Sequence, residues 1–158
     1  MIGFLVSLLM LIWCPLTPSS AGAQIGAVDD YKLTIVRGRA ACVDASGKPI
    51  SDLFDCGPSP RFTFVDKTGH NFSFIPTDIQ APIFTDSRVR QRDLQVTARL
   101  RAKDQLEIIK VQAVRDGKLY DIYYYCELCN IRAYVPGECP CCHNQLEFRE
   151  VPEEQSNH

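Results

Sequence analysis

The stretch that most constrains this chain is "CELCNIRAYVPGECPCC", Cys126 to Cys142, which holds five of the eight cysteines. Cys126 and Cys129 form one C-x2-C pair and Cys139 and Cys142 a second, with nine residues between the pairs. Each pair can turn tightly enough to set two sulfurs on one ion, so two pairs can build a tetrahedral thiolate cage. The same residues admit two other chemistries. Close pairs can oxidise to disulfides, and His143 directly after Cys142 completes a C-x-x-C-H match to covalent haem attachment. The segment is too short to bury an apolar core of its own, so whichever chemistry operates must also hold it together.

The compartment bears on that choice. Ile2 to Trp13, "IGFLVSLLMLIW", is apolar, no charged side chain precedes Asp29, and Ala21-Gly22-Ala23 supplies small residues. This pattern predicts a secretory signal over residues 1–23 and a mature start near Gln24. The apolar run is shorter than the ~20 residues of a spanning helix, so membrane contact is expected only through an uncleaved signal. The expected location is exported, periplasmic or secreted, where disulfides persist. Without Cys14 seven cysteines remain, an odd number that cannot pair completely within the chain.

Residues 24–125 read as a β domain. "RFTFVDKTGHNFSFIP" places Phe62 with Phe64, and Phe72 with Phe74, on common faces of two strands joined by a Gly-containing turn. "LQVTARLRA" alternates, with Leu94, Val96, Ala98 and Leu100 pointing one way. "QLEIIKVQAV" and "KLYDIYYYC" flank Asp116-Gly117, a strong two-residue hairpin signal. The phase slip at Ile108-Ile109 predicts a bulge. Between the hairpins, "TDIQAPIFTDSRVRQRD" is the internal candidate for a helical turn, capped by Thr85 or Asp86. Five or six short strands with one helical insertion resemble the OB-fold, a small Greek-key barrel, over Lys32 to Tyr125. The expected fold class is mainly β.

The formal charge of −2 lacks the strongly basic footprint of a nucleic-acid binder. Arg99, Arg101, Tyr120, Tyr123, Tyr124 and Tyr125 could in principle form a stacking face. Tyrosines on a terminal strand are instead expected to pack the barrel flank and a neighbouring module.

That module, Tyr124 to Val151, has the order strand, knuckle, hairpin, knuckle, strand and resembles a zinc ribbon. The resemblance implies Cys126, Cys129, Cys139 and Cys142 as ligands of one zinc ion. Iron in a rubredoxin-like site would use the same four sulfurs. On this assignment Cys42 and Cys56 form a disulfide around "ASGKPISDLFD", and Cys141 is left over. Disulfides and a c-type haem on Cys139, Cys142 and His143 stay as alternatives. "CPCC" also contains C-P-x-C, but thiol oxidoreductase chemistry wants a helix opening at the first cysteine, and "HNQLEFREVP" reads as strand. The expected organisation is a signal (1–23), a barrel (24–125), a cysteine module (126–151) and a disordered tail (152–158). The expected role is a zinc-binding module that recognises or assembles with an unspecified protein or ligand on the barrel face, rather than an enzyme. The competing class is an extracytoplasmic redox protein.

Overall fold

A computed structural model describes residues 31–44, 46–50, 56, 61–101 and 104–155. The expected signal and its cleavage point lie outside the described residues. Among the described residues eight strands follow in order: β1 (Lys32–Val43), β2 (Arg61–Asp66), β3 (Asn71–Phe74), β4 (Leu94–Arg101), β5 (Gln105–Arg115), β6 (Lys118–Cys126), β7 (Ile131–Ala133) and β8 (Glu147–Pro152). A short helix, α1 (Ser87–Arg90), precedes β4. The fold is mainly β, an antiparallel sheet that partly closes into a ring, with a C-terminal cysteine module.

The barrel follows from the pairings. β1 pairs with both β2 and β4, β2 with β3, and β4 with β5, all antiparallel. β3 then meets β5 in parallel, Ser73 opposite Gln105 and Phe74 opposite Leu106, which partly closes the ring. One residue of β1 stands in both of its ladders: Gly38 lies opposite Asp66 on β2 and Leu94 on β4. A Cβ at Gly38 would collide with the Val65 carbonyl oxygen and sit 2.7 Å from the Asp66 Cα. Only glycine lets the two backbones approach this closely.

The alternation in β4 places Leu94, Val96 and Ala98 fully in the core, with Phe64, Phe84, Val89 and Leu106. The opposite face is less solvated than alternation alone predicts. Gln95 is also buried and accepts a 2.8 Å hydrogen bond from Arg37 Nε. The predicted bulge is present: Thr97 faces Lys110 while Ala98 faces Ile108, which leaves Ile109 without an opposite residue. Asp116 and Gly117 both take positive φ, 50° and 76°, as a primed two-residue hairpin turn requires. Between its pairings with β3 and β6, β5 is capped by side chains. Asp78 Oδ2 accepts from Ile108 N at 2.7 Å, and Gln80 Nε2 donates to the Ile108 and Ile109 carbonyls.

The helical link forms where the sequence places it. Asp86 is the N-cap of α1, accepting from Arg88 N at 2.9 Å. The buried Arg90 donates to the Phe84 and Thr85 carbonyls, closing backbone acceptors that would otherwise lie unpaired beneath the link.

β6 belongs to both parts of the molecule. It pairs with β5 over residues 118–121 and with β7 over 124–126. β8 runs along residues 120–125, overlapping both, and so must occupy the other edge. The cysteine module therefore shares a strand with the barrel flank. β8 is further tied down by Glu150, which pairs with Arg92 (3.3 Å) and Arg115 (3.1 Å). Where the sequence led us to expect a tail, Pro152 still pairs with Tyr120 and Glu153–Gln155 form a 3-10 turn. Glu153 accepts from Lys110 and Gln112 at 3.0 and 2.9 Å, which orders this segment. Residues 156–158 lie outside the described residues.

Tyr124 joins barrel to module. Its ring is buried and meets Phe148 of β8 edge-on at 5.8 Å, and its hydroxyl donates to Asp86 Oδ2 at 2.9 Å. Burial opposes ionisation of Asp86, but hydrogen bonds from Arg88 and the Tyr124 hydroxyl outweigh it and hold the carboxyl below its usual range. A depressed folded pKa contributes stability above the unfolded value near 4, and that stability is lost as pH falls through the folded pKa. Tyr124→Phe is therefore expected to cost about 1 kcal/mol at neutral pH, and the cost should shrink on acidification below about pH 4. Urea unfolding of both proteins at pH 7 and pH 3 measures this. A penalty that grows in acid contradicts it.

Candidate metal centre

The two cysteine pairs arrive at the cluster by the same local plan. Cys126 is the last residue of β6, and residues 127–130 turn the chain back into β7. Asn130, directly after Cys129, takes φ 54°, and its Oδ1 accepts from the Tyr125 hydroxyl. In the second pair, Leu146 N donates to Gly137 O, Glu138 bridges Gln145, and Cys139 N donates to Asn144 O at 2.8 Å. His143, directly after Cys142, takes φ 59°, and its amide donates to Cys139 O at 2.9 Å. Each loop thus ends on a residue type that tolerates the left-handed region better than most. His143 serves as a turn residue and points to solvent.

The four sulfurs of Cys126, Cys129, Cys139 and Cys142 all lie within 4.8 Å of one another, with Cys126 and Cys142 3.5 Å apart. A tetrahedral zinc site with bonds of ~2.3 Å sets its sulfurs about 3.8 Å apart, so the cluster has the size of a four-thiolate cage. Cys126 and Cys139 are buried, and Cys129 and Cys142 half-buried. The cage has an inner and an outer side.

Its electrostatics suit a cation. The backbone amides of Cys142 and Cys141 are aimed at the Cys139 sulfur and bring that thiol down to about 7. The Cys129 amide acts the same way on Cys126, but burial and the neighbouring Cys142 and Cys139 thiols outweigh it and push Cys126 up. Hydrogen bonds with Cys141 and then Cys142 push Cys129 up strongly. Four adjacent thiolates repel one another, so part of the set keeps its protons until a positive ion takes their place. The arrangement can therefore bind a soft or borderline metal ion and release protons as it does.

The surroundings brace the cage. Arg149 on β8 pairs with Glu127 in the first knuckle at 2.6 Å and with Glu147 at 2.8 Å. Arg132 on β7 lies over the Tyr123 ring at 4.1 Å. Arg149, Arg132, Glu127 and Asn130 escaped the sequence reading, and His143 entered it only as a haem candidate, not as a left-handed turn residue. The one available signal was that Asn130 and His143 occupy equivalent positions after each pair.

The remaining residues singled out from the sequence sort themselves differently. Cys42, buried on β1, and Cys56 stand at disulfide distance, Cα–Cα 5.6 Å, within the span a disulfide bridges. Cys141 is exposed and outside the four. The arginines and tyrosines considered for a stacking face do not form one surface. Arg99 and Arg101 pair with Glu107 and lie over Tyr31, Tyr120 lies under Arg115, Tyr124 is in the core, and Tyr123 and Tyr125 pack edge-on with each other. His70 is an exposed turn residue facing Asp104 at 3.4 Å. Set against known protein-family models, curated proteins and solved structures, the chain matches none of them.

Proposed function

We propose that this chain is an exported β-barrel protein whose C-terminal module is held by one zinc ion on Cys126, Cys129, Cys139 and Cys142, and that it works by binding or assembly rather than by catalysis. The observation that carries the reading is the cage of four sulfurs within 4.8 Å on two equivalent turns. Two features support export. One is the uncharged apolar start with its Ala21-Gly22-Ala23 site. The other is the pairing of Cys42 with Cys56, a bond that persists in oxidising compartments. The barrel would offer the surface for a partner and the metal would fix the module against it.

Iron is the second reading, because the amides aimed at Cys139 stabilise a thiolate whichever ion it holds. Colour separates the two, since ferric thiolate absorbs in the visible and zinc does not. What counts against a c-type haem is the fully buried Cys139 sulfur, which faces three other sulfurs instead of open space for a macrocycle.

Sequencing the N-terminus of the chain recovered from its native host tests the export half. A start near Gln24, with Cys42 and Cys56 linked in an unreduced peptide map, is the expected result. An intact Met1 in a soluble cytosolic fraction, with both thiols alkylatable, would overturn it.

A further inference from the structure

The first half of β1 has a strand along only one of its edges. β4 runs beside Lys32 to Gly38, whereas β2 takes the opposite edge from Gly38 to Val43. On the N-terminal side of Gly38 that second edge has one more bond, from Lys67 N to Arg37 O at 3.2 Å, and there the β2–β3 turn leaves it. Successive residues of a strand aim their main-chain groups at alternate edges. With Arg37 directed toward β2, the amides and carbonyls of Leu33 and Ile35 point to the same side. No described residue pairs with them there. The side chains of these two residues are 61% and 62% exposed. An edge both unpaired and apolar is a template for another strand.

The charges around this edge are of one sign. β1 holds no Asp or Glu. Lys32 at its start, and Arg37 and Lys67 where β2 takes over, are exposed, and none of the three is ion-paired among the described residues. On the neighbouring strands Glu107 is already shared by Arg99 and Arg101, and Asp93 is paired with Arg39. A second copy of this chain therefore fits badly. Antiparallel pairing of two β1 edges that matches Leu33 with Ile35 brings Lys32 within one position of Arg37, so like charges meet at both ends.

We propose that the free edge of β1 takes one extended polypeptide strand from a partner protein, apolar at alternate positions and acidic at both ends. The proposal rests on the binding reading above and gives it a surface and a partner chemistry. The added strand lies antiparallel to β1 over about five residues, ~17 Å, and Lys67 stops it at one end. Its main chain bonds to Leu33 and Ile35, its apolar side chains cover theirs, and its acidic ends meet Lys32 and Lys67. Main-chain bonds then supply affinity, while alternation and charge supply specificity. A single-stranded nucleic acid would use the cations alone, whereas a peptide uses the cations, the apolar pair and the open main chain together.

The test uses the full chain and short fluorescein-labelled peptides in which valine and threonine alternate between paired aspartates. Companion probes are the same peptide flanked by lysines, a copy N-methylated at every second residue, and a single-stranded oligothymidine. At low salt the aspartate peptide should bind about tenfold tighter than the lysine peptide, because exchanging the flanks turns two ion pairs into two repulsions. The copy N-methylated on the bonding side should lose binding. Hydrogen exchange should find the Leu33 and Ile35 amides open in the free chain and protected by the peptide. Lys32→Glu with Lys67→Glu should reverse the preference, and Ile35→Lys should weaken both peptides, with circular dichroism unchanged. Four results would overturn the proposal: equal binding of the lysine peptide, equally tight binding of oligothymidine, both amides already protected in a peptide-free monomer, or a concentration-dependent dimer that Ile35→Lys dissolves. Photocrosslinkers at Leu33 and, separately, at the exposed Leu128 of the first knuckle, used in the native host, separate the proposal from the reading beneath it. Capture of a protein at Leu128 alone removes the edge and keeps the binding role, and capture at neither removes both.

Discussion

Cys139→Ser is expected to abolish metal binding and to remove the module as a folded unit. Cys139 is the fully buried ligand, and its sulfur collects two backbone amides. Its own amide and carbonyl hold the second turn through Asn144 and His143. A serine cannot supply a thiolate, and the three sulfurs left are one ligand short of a closed tetrahedral cage. Structural zinc sites in small modules carry apparent binding free energies of about 10–16 kcal/mol at pH 7. That is as large as the whole stability of an ordinary domain, about 5–15 kcal/mol. Because β8 runs along β6 and contributes Phe148 against the core, the damage will not stop at the module. Hydrogen exchange should show protection lost throughout β7 and β8 and weakened in β6, with the β1–β4 ladder still protected. Retention of β8 protection in Cys139→Ser would mean that packing, not metal, holds this segment.

Gly38→Ala is expected to be the most damaging change in the barrel itself. The added methyl meets backbone on β2, at the Val65 carbonyl and the Asp66 Cα, and backbone cannot move aside as a flexible side-chain tip can. Gly38 is also the residue at which β1 passes from one ladder to the other, so relief on one side strains the other. Overpacking a core site costs about 1–3 kcal/mol, and obstruction by backbone puts this site at the upper end. A fall in Tm on the order of 10 °C should follow, read by calorimetry on metal-loaded protein. Melting within about 2 °C of the wild type would show that β1 and β2 can separate at this point without penalty.

The parts of the molecule legible in the sequence are those set by short-range rules. Asp116-Gly117 fixes a primed turn wherever it occurs between strands, the doubled isoleucine announces the bulge in β5, and Asp86 caps because its carboxylate reaches the amide two residues on. The double C-x2-C spacing likewise predicts a cage, since each turn is local. What the sequence does not display is long-range. Nothing near Tyr124 marks it, among three consecutive tyrosines, as the one that turns inward to Asp86, which lies 38 residues away. The burial of Gln95 depends on Arg37 and Gln112 from other strands. The boundary between barrel and module fails as a cut in the chain, because β6 serves both and its two edges are filled by segments from either side of it in the sequence. The ordered turn at Glu153 was hidden for the same reason: its partners Lys110 and Gln112 sit on β5.

The central claim is that four cysteines hold one zinc ion, and elemental analysis of the full chain, purified without chelator from its native host, tests it most directly. One zinc per chain is predicted, in a colourless protein whose Cys126, Cys129, Cys139 and Cys142 resist alkylation until the metal is removed. Absence of any stoichiometric metal, with Cys126 and Cys129 recovered as a disulfide, would contradict it.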